Sequence, residues 1–138
     1  AWESLALTED KFPILLKEAA MSFSHERLDV YRTSLEFLSH ASSMIESLPR
    51  GRSDLADQLD RASTSIVLNI AEGAGKFAKR DTRRFYQIAM GSVTECAAIL
   101  DVCAGLRAID GPRFAESKVL LERILSMLVK LCKRMEDE

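Results

Sequence analysis

The chain has 138 residues, 47% hydrophobic and 29% charged, which suits one domain with a true core and a charged surface. A net charge of −2 excludes a whole-molecule cationic DNA binder, so any nucleic-acid role must come from a local patch or from assembly. Three cysteines (Cys96, Cys103, Cys132) with no CxxC pair and no neighbouring histidines speak against a disulfide frame or a zinc site. They read as reduced core thiols of a cytoplasmic protein. No run approaches the roughly 18 consecutive apolar residues of a membrane span, and no basic-then-apolar signal opens the chain.

Residues 1–24 differ from the rest and are assigned to an N-terminal extension or leader, with 25–138 as the folded domain. Phe12, Leu15, Leu16 and Ala19 recur at helical spacing, and Pro13 fits a first helical turn, so a short amphipathic helix is expected there. Met21 followed by SFSHERLDVY reads like the start of a protein. The functional alternative is a docking peptide presenting Trp2, Leu5, Phe12 and Leu15 to a groove.

Four helices follow. The first is predicted over Glu26–Leu48, with Leu28, Tyr31, Leu35, Leu38, Ala41, Ile45 and Leu48 as its seam. Pro49 to Ser53 turn the chain, and Ser53 or Asp54 can cap the next helix. The second, Asp54–Gly73, has Leu55, Leu59, Ala62, Ile66 and Ile70 on its apolar face, and Gly73 and Gly75 are expected to stop it. The third, Asp81–Ala108, carries Phe85, Ile88, Ala89, Ser92, Cys96, Ile99, Cys103 and Leu106 on its inner face. Small residues on it (Ala89, Gly91, Ser92, Ala97, Ala98) permit close helix approach within the bundle or between subunits. The fourth, Pro112–Met135, repeats a seam at Phe114, Leu121, Ile124, Leu128, Leu131 and Met135, while Leu120, Leu125 and Val129 widen its apolar arc toward a second buried face. The fold class is all-α, an antiparallel up-down-up-down four-helix bundle joined by short turns.

Arg61, Ser65, Asn69 and Glu72 share one stripe of the second helix, and Ser92 and Glu95 occupy a matching stripe of the third. In a hairpin turning near residue 77, Glu95 comes level with Ser65 or Arg61, and Phe85 with Asn69. These six residues are therefore expected to form a structural polar network that fixes helix register, built on a buried Arg61–Glu95 pair. A catalytic use of Glu72 and Glu95 lacks a histidine and a nucleophile. A di-metal carboxylate site needs Glu-x-x-His pairs, and His25 and His40 both lie on the first helix without them. No catalytic residue, metal or cofactor is assigned.

Lys76, Lys79, Arg80, Arg83 and Arg84 form the one dense basic cluster, with Phe77, Phe85 and Tyr86 interleaved. Cations beside rings suit a phosphate backbone with some base stacking; a solvated loop and first helical turn is the plainer alternative.

RLDVYRTSLEFL, SLP, QLDRASTSIVLNIAEGAGK and RRFYQIAMGSVTEC, in that order, resemble the four-helix-bundle proteins encoded within intervening sequences of bacterial 23S ribosomal RNA genes. The carriers are NIAEG at Asn69–Gly73, GSxxE at Gly91, Ser92 and Glu95, and LDVY at Leu28–Tyr31. The resemblance implies an antiparallel bundle that assembles as a homopentamer, without enzyme activity. The chain is also similar to the accessory protein of diversity-generating retroelements, a pentameric bundle that binds nucleic acid and a reverse transcriptase. It departs from that protein in being near neutral, and residues 1–20 have no counterpart in the motif. The expected function is an oligomeric, non-enzymatic RNA- or DNA-binding accessory module, with no membrane. The alternative is an adaptor that docks a protein partner.

Overall fold

Leu28 takes an extended backbone (φ −90°, ψ 127°), and this single residue splits the first predicted helix in two. Ahead of it lies a 3-10 turn, Ser24–Arg27; behind it α1 runs over Asp29–Ser47. The computed structural model describes residues 23–136. The expected extension, its short helix and its docking residues lie outside that range. Three more helices follow: α2 (Ser53–Ala74), α3 (Lys79–Gly105) and α4 (Gly111–Lys133).

Each helix buries one stripe. α1 and α3 each pack against α2 and α4, and the most extensive contact is α2 on α3. Gly73 meets Tyr86 near the turn and Ser65 bonds Ser92 further from it, so α2 and α3 run in opposite directions. Lys118 pairs with Asp101 at one end of α4 and Met135 accepts from Arg83 at the other, which sets α4 against α3 the same way. Ser117 and Arg113, near the start of α4, bond Met44 and Ser47 near the end of α1. These contacts make an up-down-up-down bundle. Its centre is Phe37, Met44, Leu59, Ile66, Ile70, Leu100, Ile124 and Leu128. Burying each such side chain contributes roughly 1.5–3 kcal/mol.

All five predicted apolar positions of α2 are buried, as are Leu121, Ile124 and Leu128 of α4. The seam of α1 is rotated from expectation. Val30, Thr33, Ser34, Phe37, Ala41 and Met44 are buried, while Leu28, Tyr31, Ile45 and Leu48 pack on the margin of the core. Thr33 and Ser34 can be inside because their hydroxyls donate to the Asp29 and Tyr31 carbonyls, at 2.9 and 2.6 Å. In α3 the buried ring is Tyr86, whereas Ile88 and Leu106 are exposed. Burial pushes the Tyr86 phenol up, with Cys132 adding to it. Leu125 and Val129 of α4 are exposed in the single chain, as is Val119.

The helix ends also differ from expectation. Ser53 and Asp54 do not cap α2: the cap position is Arg52, with no side-chain bond. Gly73 does not end α2 but is buried within its last turn; Gly75 ends it as expected, at φ −88°, and no glycine has positive φ among the described residues. α3 starts at Lys79, with Asp81 in its first turn, where an acid favours the helix dipole. Asp110 caps α4 by accepting from the Arg113 N–H at 2.8 Å, and Pro112 sits at the first helical positions, where it lacks no bond.

α3 ends in a Schellman turn: the Ala108 N–H donates to the Cys103 carbonyl and the Arg107 N–H to Ala104. That places Arg107 in the left-handed region, φ 58°, which costs a side chain about 1–2 kcal/mol. Glycine there relieves the strain but gains freedom when unfolded, so Arg107→Gly should raise stability by about 0.5–1 kcal/mol. A denaturant midpoint equal to or below the parent's would contradict it.

Among the described residues one helix, α3, is long and apolar enough to cross a membrane, with mean hydropathy 1.4 over its best window. Core helices share that property. α3 packs on α2 and α4, and its first two turns carry Lys79, Arg80, Asp81, Arg83 and Arg84.

Candidate nucleic-acid interface

The four-residue connection Gly75–Ala78 and the first turns of α3 bring the predicted cations to one corner of the bundle. The connection is pinned at both ends: Gly75 and Lys76 N–H groups donate to Glu72 and Gly73 carbonyls, each at 3.2 Å, and Thr82 N–H donates to Ala78 at 3.1 Å.

The five cations have different jobs. Lys76 and Arg84 both lie over the Phe85 ring, with Nζ 5.2 Å and Cζ 4.7 Å from its centroid. The half-buried ring thus holds two charges in place while leaving them in water. Arg83 has a second partner: its guanidinium donates to the Met135 carbonyl at 3.2 Å, which ties the start of α3 to the chain just past α4. Arg80 and Lys79 are exposed. Arg80, Arg83, Arg84 and Gln87 line an open cleft of about 500 Å³ with Ala78 and Asp81. Two acids border the corner, Asp81 in the cleft and exposed Glu72 at the end of α2.

Gln87 was missed from sequence, although it follows Arg80 by seven residues and Arg84 by three and so shares their helical face. The bond from Arg83 to Met135 carried no sequence signal, because it depends on where the chain just past α4 comes to lie.

The polar stripe forms in part. Ser65 and Ser92 share a hydrogen bond at 2.8 Å, and the Asn69 amide donates to the Ser65 hydroxyl and carbonyl at 3.0 and 2.9 Å. Arg61, Glu72 and Glu95 are exposed, and the expected buried Arg61–Glu95 pair is absent among the described residues. The physical reason is side-chain length: two short hydroxyls let α2 and α3 close together, and the longer charged chains at that level reach outward into water. Phe85 packs opposite Gly73, one turn from the expected Asn69.

Cys96, Cys103 and Cys132 are buried free thiols. Burial pushes Cys96 up to about 12, with the Glu95 carboxylate adding to it, so it is no nucleophile. Burial raises Cys103 and Cys132 as well, opposed by Arg52 and Arg83 respectively. No group of three or more His, Cys, Asp or Glu is placed to hold a metal among the described residues. One buried polar atom, Glu26 Oε2, has no hydrogen-bond partner among them.

Fold and site together define an all-α four-helix bundle with one cationic corner. The chain belongs to the 23S rRNA-intervening sequence protein family, whose model matches residues 26–130. The match runs from the 3-10 turn into the last turns of α4. A crystal structure of a protein of unknown function from the S23 ribosomal protein family of Bacteroides thetaiotaomicron is similar, with a TM-score of 0.71 and 22% identity over 75% of this chain and 98% of that one. At that identity the likeness concerns the fold. No curated protein matches.

Proposed function

We propose that this chain is a non-enzymatic, cytoplasmic accessory module that assembles into a homo-oligomer, a pentamer by family resemblance, and binds RNA or DNA through its basic corner. The observation that carries the reading is the pair of cations fixed on Phe85, Lys76 and Arg84, with Arg80 beside them along an open cleft. Cations held in advance lose less freedom on meeting phosphates. A near-neutral chain concentrates positive potential this way, and repetition around a symmetry axis would multiply it. Reduced thiols suit a cytoplasmic setting.

Assembly is supported by an exposed stripe on α3. Ile88, Gly91, Glu95, Ala98 and Val102 follow one another at three- and four-residue steps, all exposed, and small residues there permit close helix contact. Val119, Leu125 and Val129 of α4 are exposed apolar residues too. The same surfaces favour the second reading, an adaptor that docks a protein partner. Light scattering tests assembly: a mass near the 15.4 kDa of one chain at micromolar concentration would rule it out.

A gel shift at varied salt tests binding. Every cation withdrawn from a phosphate should lower the log–log salt slope by about 0.7–0.9. Arg80→Ala with Arg84→Ala should weaken binding and flatten that slope while leaving the fold stable. Arg83→Ala should instead lower stability by about 1 kcal/mol, because it removes the bond to Met135. Absence of binding by the parent protein at low salt would refute the nucleic-acid reading. A protein partner recovered after nuclease treatment would favour the adaptor.

A further inference from the structure

We propose that the basic corner takes single-stranded nucleic acid, with an unpaired base stacked on Phe77. This rests on the nucleic-acid reading above and narrows it to one substrate class.

The three rings near the corner differ in availability. Tyr86 is buried against Gly73. Phe85 is half-buried and its face is occupied by Lys76 and Arg84. Phe77 is fully exposed, and it sits on the connection between α2 and α3. Lone exposed apolar side chains are ordinary on protein surfaces. Phe77 differs through its setting: Lys76 precedes it, Lys79 and Arg80 follow it, and hydrogen bonds fix the backbone on both sides. A ring with cations on both sides matches the repeat of a nucleic-acid strand, in which each base is flanked by two phosphates.

The strandedness follows from comparing two energies. Stacking one free base on an aromatic side chain strengthens binding about 5- to 140-fold. Inserting the same ring into a duplex first requires unstacking a base step, which cancels a gain of that size. The cations serve both forms of nucleic acid, and Phe77 rewards only the one whose bases are already free.

The test uses the full chain and mixed-sequence oligonucleotides longer than the roughly 4–16 nucleotides a single-strand site spans. Single-stranded RNA, single-stranded DNA and a duplex of the same sequence are titrated by fluorescence anisotropy against the parent, Phe77→Ala and Phe77→Trp. The expected result is tighter binding of a single strand than of duplex by about tenfold, in RNA, DNA or both. Phe77→Ala should abolish that difference and leave duplex binding unchanged, and Phe77→Trp should restore it. Equal binding of strand and duplex, insensitive to Phe77→Ala, overturns the stacking proposal while the nucleic-acid reading stands. No binding to any of the three overturns both. A fall in assembly mass on Phe77→Ala overturns the proposal differently, by showing that the ring is a contact between copies.

Discussion

Unfolding by denaturant should become progressively easier as pH rises above about 9, with Cys96 as the largest single cause. Its thiol is held up to about 12 in the fold against an ordinary value of 9.0. A folded-state value above the unfolded one means that the native state keeps its proton over that interval while the unfolded chain gives it up. Stability from this group is therefore fully present below about 9 and is lost through the window from about 9 to about 12. At about 1.4 kcal/mol per unit, the loss reaches about 4 kcal/mol by the upper end, a large share of the 5–15 kcal/mol that holds a domain together. Cys103, Cys132, Tyr31 and Tyr86 are all raised by burial and act in the same direction. Urea midpoints between about pH 7 and pH 11 measure this directly. A midpoint at the alkaline end equal to that at neutrality would show that Cys96 is not desolvated as described. The same burial predicts slow labelling by a thiol reagent at about pH 8, at a rate set by opening of the bundle.

Helix number and order, and the apolar stripes of α2 and α4, were legible because leucine and isoleucine at steps of three and four have few other readings. The α1 seam was not. Thr33 and Ser34 look like surface residues, yet both return their hydroxyls to the helix backbone and so enter the core with no polar group left bare. Leu28 could not be seen as a break, since nothing in LDVY marks an extended residue. In α3, adjacent Phe85 and Tyr86 leave the inner ring ambiguous by one position, and the answer depends on Gly73 across the interface. The basic cluster was legible as charge. Its division of labour was not, because Arg83 is committed by the position of Met135, fifty-two residues away in sequence. The polar stripe failed at Arg61 and Glu95 for a related reason: spacing gives the level at which two residues meet, and side-chain length decides which of them meet there.

Gly73→Ala, in the last turn of α2, and Gly91→Ala, inside α3, make the same chemical change and should move stability in opposite directions. Alanine improves on glycine by about 0.8–1.0 kcal/mol in an exposed helix interior. At Gly91 nothing in the same chain lies within 4 Å of the added methyl group, so the full gain should appear in the single chain, raising its melting temperature by roughly 4 °C. At Gly73 the methyl carbon would stand 2.9 Å from two carbons of the Tyr86 ring and 3.1 Å from the Phe85 Cβ. The Cβ is fixed to the α3 backbone and the ring is buried, so α2 and α3 must separate. Overpacking of this kind costs about 1–3 kcal/mol, which offsets the propensity gain and leaves a net loss of up to about 2 kcal/mol. Thermal melts of the two variants decide it. If Gly73→Ala melts at or above the parent, the close approach of the two helices is not a constraint on the fold. Gly91 also lies on the exposed stripe assigned to contact between copies. Gly91→Arg should therefore leave the helical signal of the single chain intact and lower the mass seen by light scattering. Retention of the parent's mass would move the assembly surface off α3, to the exposed valines and leucine of α4.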